Sequence, residues 1–137
     1  MSKPRDLSAR RYYRVAFQRY EDGEQLLEIG RPAASVYLTG YAVECILKAL
    51  LLASTTGRKR GEVLASFRGR TAHDLEGLRD RLARMIGPLP VQVAGHLSLV
   101  SSWSTDLRYQ PGPGDLRDAT AFLTATHAIL EWAKRRI

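Results

Sequence analysis

The run from Ala33 to Ala53, AASVYLTGYAVECILKALLLA, is strongly apolar yet carries Tyr37, Tyr41, Glu44 and Lys48 in one line. Their spacings of four, three and four residues put these side chains on one face of an α-helix. Val36, Leu38, Val43, Ile46, Leu47, Leu50 and Leu51 fill the rest of the circumference, so the helix is expected to be buried nearly all round. An unpaired charge in such surroundings costs about 3–5 kcal/mol, so the chain is expected to bring a cation to Glu44. On an exposed helix the same Glu44/Lys48 spacing would be a plain salt bridge, worth about 0.3–0.5 kcal/mol.

The run is nearly long enough to cross a bilayer, but Ser35, Thr39, Glu44 and Lys48 interrupt it, which favours a core helix with no membrane role. The 137 residues suit one domain spanning 1–137. Cys45, the single cysteine, lies inside the apolar run and reads as a small buried hydrophobe. Met1 to Arg14 is basic and polar, unlike a signal peptide, which gives a cytoplasmic expectation.

Apolar residues elsewhere recur at helical spacing, and no stretch alternates as a strand would. Five helices are predicted. The first runs from about Leu7 to Ile29 and ends at Gly30 and Pro32; the second is the apolar run. A third starts near His73-Asp74 and shows Leu75, Leu78, Leu82 and Met85 on one face; a fourth covers about Val91 to Trp103. The fifth follows Pro111-Gly112-Pro113-Gly114, starts at Asp115 and ends in Lys134-Arg135-Arg136. Residues 55–72, rich in Gly, Arg and Lys, read as a mobile basic loop with one helical turn at Val63, Leu64 and Phe67. Short connections predict an all-α, antiparallel up-and-down bundle of four or five helices, with the apolar helix in its middle.

His73, His96 and His127 fall on different predicted helices and offer no metal-ligand spacing, so neither metal nor cofactor is expected. Gly57-Arg58-Lys59-Arg60-Gly61 is not a phosphate loop, because it follows no strand and lacks the required pattern. The formal net charge of +7 points to polyanionic partners, nucleic acid first. Cations cluster at Arg5, Arg10, Arg11 and Arg14, at Arg58, Lys59, Arg60, Arg68 and Arg70, and at Lys134 to Arg136. If folding joins two clusters, a phosphate-binding track results, with Tyr12, Tyr13 and Trp103 as candidate stacking rings. The cation expected beside Glu44 is Arg108 of WSTDLRY, which would leave Tyr37, Tyr41, Lys48 and Tyr109 lining a polar cleft.

YAVECILKALLLA, then HDLEGL, then Trp103, Arg108, Tyr109 and Pro111 in the pattern W-x-x-x-x-R-Y-x-P, resemble the HEPN family (higher eukaryotes and prokaryotes nucleotide-binding domain) over about Tyr12 to Ala133. The resemblance implies a helical bundle, frequently a homodimer, that binds nucleotide or RNA in prokaryotic toxin–antitoxin, defence or stress systems. Many members are metal-independent endoribonucleases with an Arg, four to six residues, then a His. Arg68 and His73 meet that spacing, although they precede the third predicted helix where the family places the motif later in the chain. A third implied role is that of a helical interaction module for a separately encoded nucleotidyltransferase-type partner.

Overall fold

The computed structural model describes residues 4–69 and 71–137; Arg70 of the second basic cluster lies outside them. They form α1 (Leu7–Glu28), α2 (Pro32–Ala53), α3 (Gly57–Ala65), α4 (Leu75–Ile86), α5 (Val91–Val100), a 3-10 turn (Thr105–Tyr109) and α6 (Leu116–Arg136). Among the described residues there is no strand, and the fold is the expected all-α bundle.

Local chemistry sets the ends of the long helices. Asp6 caps α1 by accepting the Ala9 N–H at 2.8 Å, an arrangement worth about 1 kcal/mol. Gly30, at φ 79°, turns the chain, and Pro32 opens α2 at a position whose N–H has no helical partner. The short turn makes α1 and α2 an antiparallel pair. Their backbones approach closely at Gly23, where any Cβ would run into the Thr39 side chain, and the Ser35 hydroxyl donates to the Gly23 carbonyl at 2.6 Å. Further along, the Pro113 carbonyl accepts the Ala33 N–H at 2.7 Å, tying the proline-glycine loop to the start of α2.

α2 packs against α1, α4 and α6 and touches α3 and the 3-10 turn, so most of its circumference is covered. Val43, Ile46, Leu47, Leu50, Leu51 and Leu52 are essentially inaccessible. Among the described residues it is the one helix long and apolar enough to span a bilayer, and most of its surface is covered by its neighbours. Phe122, Ile129 and Leu130 of α6, Leu78 and Leu82 of α4, and Val93, Leu97 and Val100 of α5 complete the core.

The secondary structure departs from the sequence-based expectation in two places. Residues 57–65 form a nine-residue helix, not a loop with one turn. Two glycines and no buried residue make α3 a poor helix by propensity and pattern. Arg60 holds it by side-chain bonds to the carbonyls of Thr55 and Leu52 and an ion pair to Asp6 at 3.5 Å. The fourth predicted helix stops at Val100, and the WSTDLRY segment instead enters a 3-10 turn capped by Ser104, whose hydroxyl accepts the Asp106 N–H.

Candidate functional site

Tyr37, Tyr41, Glu44 and Lys48 do form a continuous line on α2. Glu44 and Lys48 are 4% and 3% exposed, which decides between the two readings of their spacing: this pair is buried. Lys48 Nζ donates to Glu44 Oε2 at 3.0 Å, and the same ammonium lies 5.7 Å from the centre of the Tyr12 ring and 5.2 Å from that of Phe67. Those ring faces shield the charge while attracting it.

Glu44 Oε1 meets His73 Nδ1 at 2.6 Å. The histidine sits in the turn before α4, anchored by buried Ala72 and Leu75 on either side of the His73-Asp74 pair. Roughly half of its side chain is accessible. The contact engages Nδ1 of the ring and leaves Nε2 outside it. A buried carboxylate thus orients a half-exposed imidazole, an arrangement suited to proton transfer.

Around this pair the aromatic rings stack edge to face. Tyr41 meets Tyr37, His73 and Trp103 at centroid distances of 5.3, 6.0 and 4.9 Å. The Tyr37 and Tyr41 hydroxyls are 3.2 Å apart. Burial, and then the hydrogen bond to Tyr37, push the Tyr41 phenol up to about 12, so it stays a neutral donor. Trp103 is buried, and its indole N–H donates to the Tyr37 carbonyl at 3.1 Å. Gly40 makes that approach possible, since a Cβ there would overlap the indole ring. Beside the imidazole runs a groove of about 410 Å³, with His73 and Glu76 on one side and Ser101, Ser102, Ser104 and Thr105 on the other.

Two expected pairings are not formed. Glu44 takes Lys48 and His73 in place of Arg108, and Arg108 makes no ion pair among the described residues. Its guanidinium lies on the surface 4.9 Å from the centre of the Tyr109 ring and adjoins Tyr37. The reason is that Trp103, not Arg108, anchors WSTDLRY to α2. Arg68 is likewise absent from the His73 groove; it is exposed and lines a different groove with Arg11, Tyr12 and Phe67. Tyr12, a candidate stacking ring, instead lies against the Lys48 ammonium, and Trp103 is no stacking platform because it is buried.

The basic clusters do converge. Arg5 from before α1, Arg60 of α3 and Arg136 of α6 line one cavity of about 730 Å³ at an end of the bundle, next to Leu50 and Ala53 of α2. Arg60 is already engaged by Asp6, whereas Arg5 and Arg136 have no carboxylate within ion-pair distance among the described residues. No group of three or more metal-ligating side chains occurs among the described residues.

Comparison with known protein families matches the HEPN domain over residues 9–137, nearly the whole chain. No curated protein and no solved structure matches it.

Proposed function

The chain belongs to the HEPN domain family, and on that premise we propose that it binds RNA electrostatically, as part of a prokaryotic toxin–antitoxin, defence or stress system. The observation that carries the reading is the meeting of three sequence-distant basic segments, through Arg5, Arg60 and Arg136, around one opening. Cations so placed neutralise successive phosphates and release counterions, which gives affinity without base specificity. The exposed Arg108–Tyr109 pair adds a stacking surface on the 3-10 turn. A cytoplasmic homodimer belongs to the same reading.

The test is fluorescence anisotropy with labelled single-stranded RNA at two salt concentrations. For single strands the slope of log affinity against log salt is about −0.7 per phosphate neutralised, so Arg5→Gln combined with Arg136→Gln should flatten it by roughly 1.4. Affinity that ignores salt, or a slope unchanged in the double variant, refutes this reading.

A second reading is favoured by the 2.6 Å Glu44–His73 contact. In it the protein is a metal-independent endoribonuclease. His73 Nε2 takes the proton of a ribose 2′-hydroxyl, whose oxygen attacks the adjacent phosphorus and expels the 5′-oxygen, which leaves as a hydroxyl on taking a proton from water, so that a 2′,3′-cyclic phosphate forms. Arg68, the arginine at the family spacing, would act from the neighbouring groove. Cleavage in the presence of EDTA that His73→Ala abolishes supports this version; equal cleavage by wild type and variant excludes it.

A further inference from the structure

Charge is unevenly distributed along α1: the stretch from Arg10 to Arg19 is basic, and the stretch from Glu21 to Glu28 is acidic. Arg5 and Arg136 meet at the basic opening, whereas Tyr20 to Glu28 lie beside Leu116 to His127, so α1 and α6 run antiparallel and the acidic half of α1 flanks the start of α6. Arg19 pairs with Asp22 at 3.1 Å. Neither Glu24 nor Glu28 has a lysine or arginine within ion-pair distance among the described residues.

This end of a helix is the unfavourable one for carboxylates. Its unsatisfied carbonyls carry partial negative charge, the last turn of α1 holds no basic residue, and Glu24 and Glu28, one turn apart, repel each other. The Tyr20 phenol adjoins Glu24 but is neutral, so the charge is not compensated there. The fold gains nothing from this pair of charges.

Between α1 and α6 runs an open groove of about 520 Å³ that both carboxylates line. Its α6 wall, Leu116 to His127, spans three turns, about 16 Å. Leu27 and the buried Leu123 line it too, and Leu116, 60% exposed, adds apolar surface open to solvent. Thr120 and Thr124 donate their hydroxyls back to the carbonyls of Leu116 and Thr120, at 2.8 and 2.9 Å, which leaves no hydroxyl proton for a polar ligand. The Tyr20 and His127 rings, with centroids 5.7 Å apart, join the two helices at the end away from Glu28. What the groove offers is therefore a leucine-lined trough edged by two uncompensated negative charges, which repels anions, RNA among them. A two-helix trough of this length accepts one face of a third helix, and cations beside that face would meet the carboxylates.

We propose that the α1–α6 groove docks a basic amphipathic helix of another protein, with its apolar face on Leu27, Leu116 and Leu123 and its cations on Glu24 and Glu28. A second copy of this chain presents no free helix of that kind, because the basic half of α1 and the basic end of α6 turn their apolar residues into their own core. The groove shares no residue with the basic opening or the His73 groove, so the proposal stands whether or not the chain binds RNA.

Fluorescence anisotropy with labelled synthetic helices and the full chain tests it. The probe is a peptide of about four turns with leucines at i, i+3, i+4 and i+7 spacing and lysines elsewhere. One control replaces its lysines by glutamate, another its leucines by serine, and each should bind at least about tenfold more weakly. Glu24→Gln/Glu28→Gln, and separately Leu116→Ser, should weaken the probe by about tenfold. Glu62→Gln/Asp80→Asn, an equal change of charge at exposed positions outside the groove, should leave it unchanged. Because Glu24→Gln/Glu28→Gln relieves a repulsion, its urea midpoint should match or exceed that of wild type, which separates lost binding from lost folding. Equal weakening by the two double variants, equal binding of the serine control, or a lowered midpoint for Glu24→Gln/Glu28→Gln overturns the proposal. So does self-association in sedimentation equilibrium that Glu24→Gln/Glu28→Gln abolishes, which would assign the groove to a second copy.

Discussion

Replacing Glu44 should reveal how much of the stability depends on one buried carboxylate. Glu44→Ala strands the Lys48 ammonium, 3% exposed, with only the Tyr12 and Phe67 rings for company. Breaking a buried pair in this way costs about 3–5 kcal/mol, and the ring faces return about 0.5–2 kcal/mol of that. A net loss of about 3 kcal/mol is expected, roughly ten times the worth of an exposed i, i+4 pair. Lys48→Met should be milder, because Glu44 keeps its 2.6 Å partner His73. Glu44→Met combined with Lys48→Met removes both charges and fills their volume, so it should return to within about 1 kcal/mol of wild type. Urea denaturation of the four proteins at neutral pH, with linear extrapolation at a common slope, measures each value. The order Glu44→Ala, then Lys48→Met, then the double variant, from least to most stable, is the expected result. A Glu44→Ala loss below about 1 kcal/mol, or a double variant no more stable than Glu44→Ala, would refute the buried-pair argument.

Three shorter predictions follow from neighbouring groups. Tyr41 has its pKa raised from 10.0 to about 12, chiefly by burial, so its contribution to stability is intact below pH 10 and is lost between pH 10 and 12, where the unfolded chain ionises first. Denaturation midpoints at about pH 9 and about pH 11 should therefore fall less for Tyr41→Phe than for wild type; an equal fall contradicts the shift. Cys45 is pushed from 9.0 up to about 12 by burial and then by the Glu44 charge, so the native thiol should resist Ellman's reagent at pH 8 and react on unfolding, with prompt native reaction as the contrary outcome. Gly40→Ala should displace the Trp103 indole and cost about 1–3 kcal/mol. Red-shifted emission in a Trp132→Phe background reads out the displacement, and an unshifted spectrum shows that the ring never sat there.

How far the sequence could be read depended on the range of the interaction. The apolar run around Glu44 shows its burial directly, because a helix without a polar face must be enclosed. Gly30 and Pro32 likewise announce the α1–α2 turn through backbone geometry that few other residues permit. α3 was hidden, since its stability comes from Arg60 reaching carbonyls and Asp6 outside the helix, which leaves no periodic trace. The need for a cation at Glu44 was also legible. Its identity was not, because whether Arg108 or His73 reaches α2 depends on how the later segments sit in three dimensions, and the Trp103–Gly40 contact that sets one of them is not local in sequence. Spacing reports which residues share a face; it does not report which distant element lies over that face.

The same distinction bears on Arg68 and His73, which sequence spacing joins and the fold assigns to two grooves. If the pair acted as one catalytic unit, removing either would forfeit most of the effect, and the second substitution would add little. On the readings proposed above, separate grooves would give separate tasks, with Arg68 on a phosphate and His73 on a proton. A double-mutant cycle of Arg68→Gln and His73→Gln, read by RNA affinity and by any cleavage rate, should then be additive within about 0.5 kcal/mol. Coupling above about 1 kcal/mol would mean that the two grooves close on one substrate. Glu44→Met/Lys48→Met sharpens the test, since it should keep the fold while releasing His73 from its anchor. In that background His73→Gln should have no further effect, whereas Arg68→Gln should retain its full one.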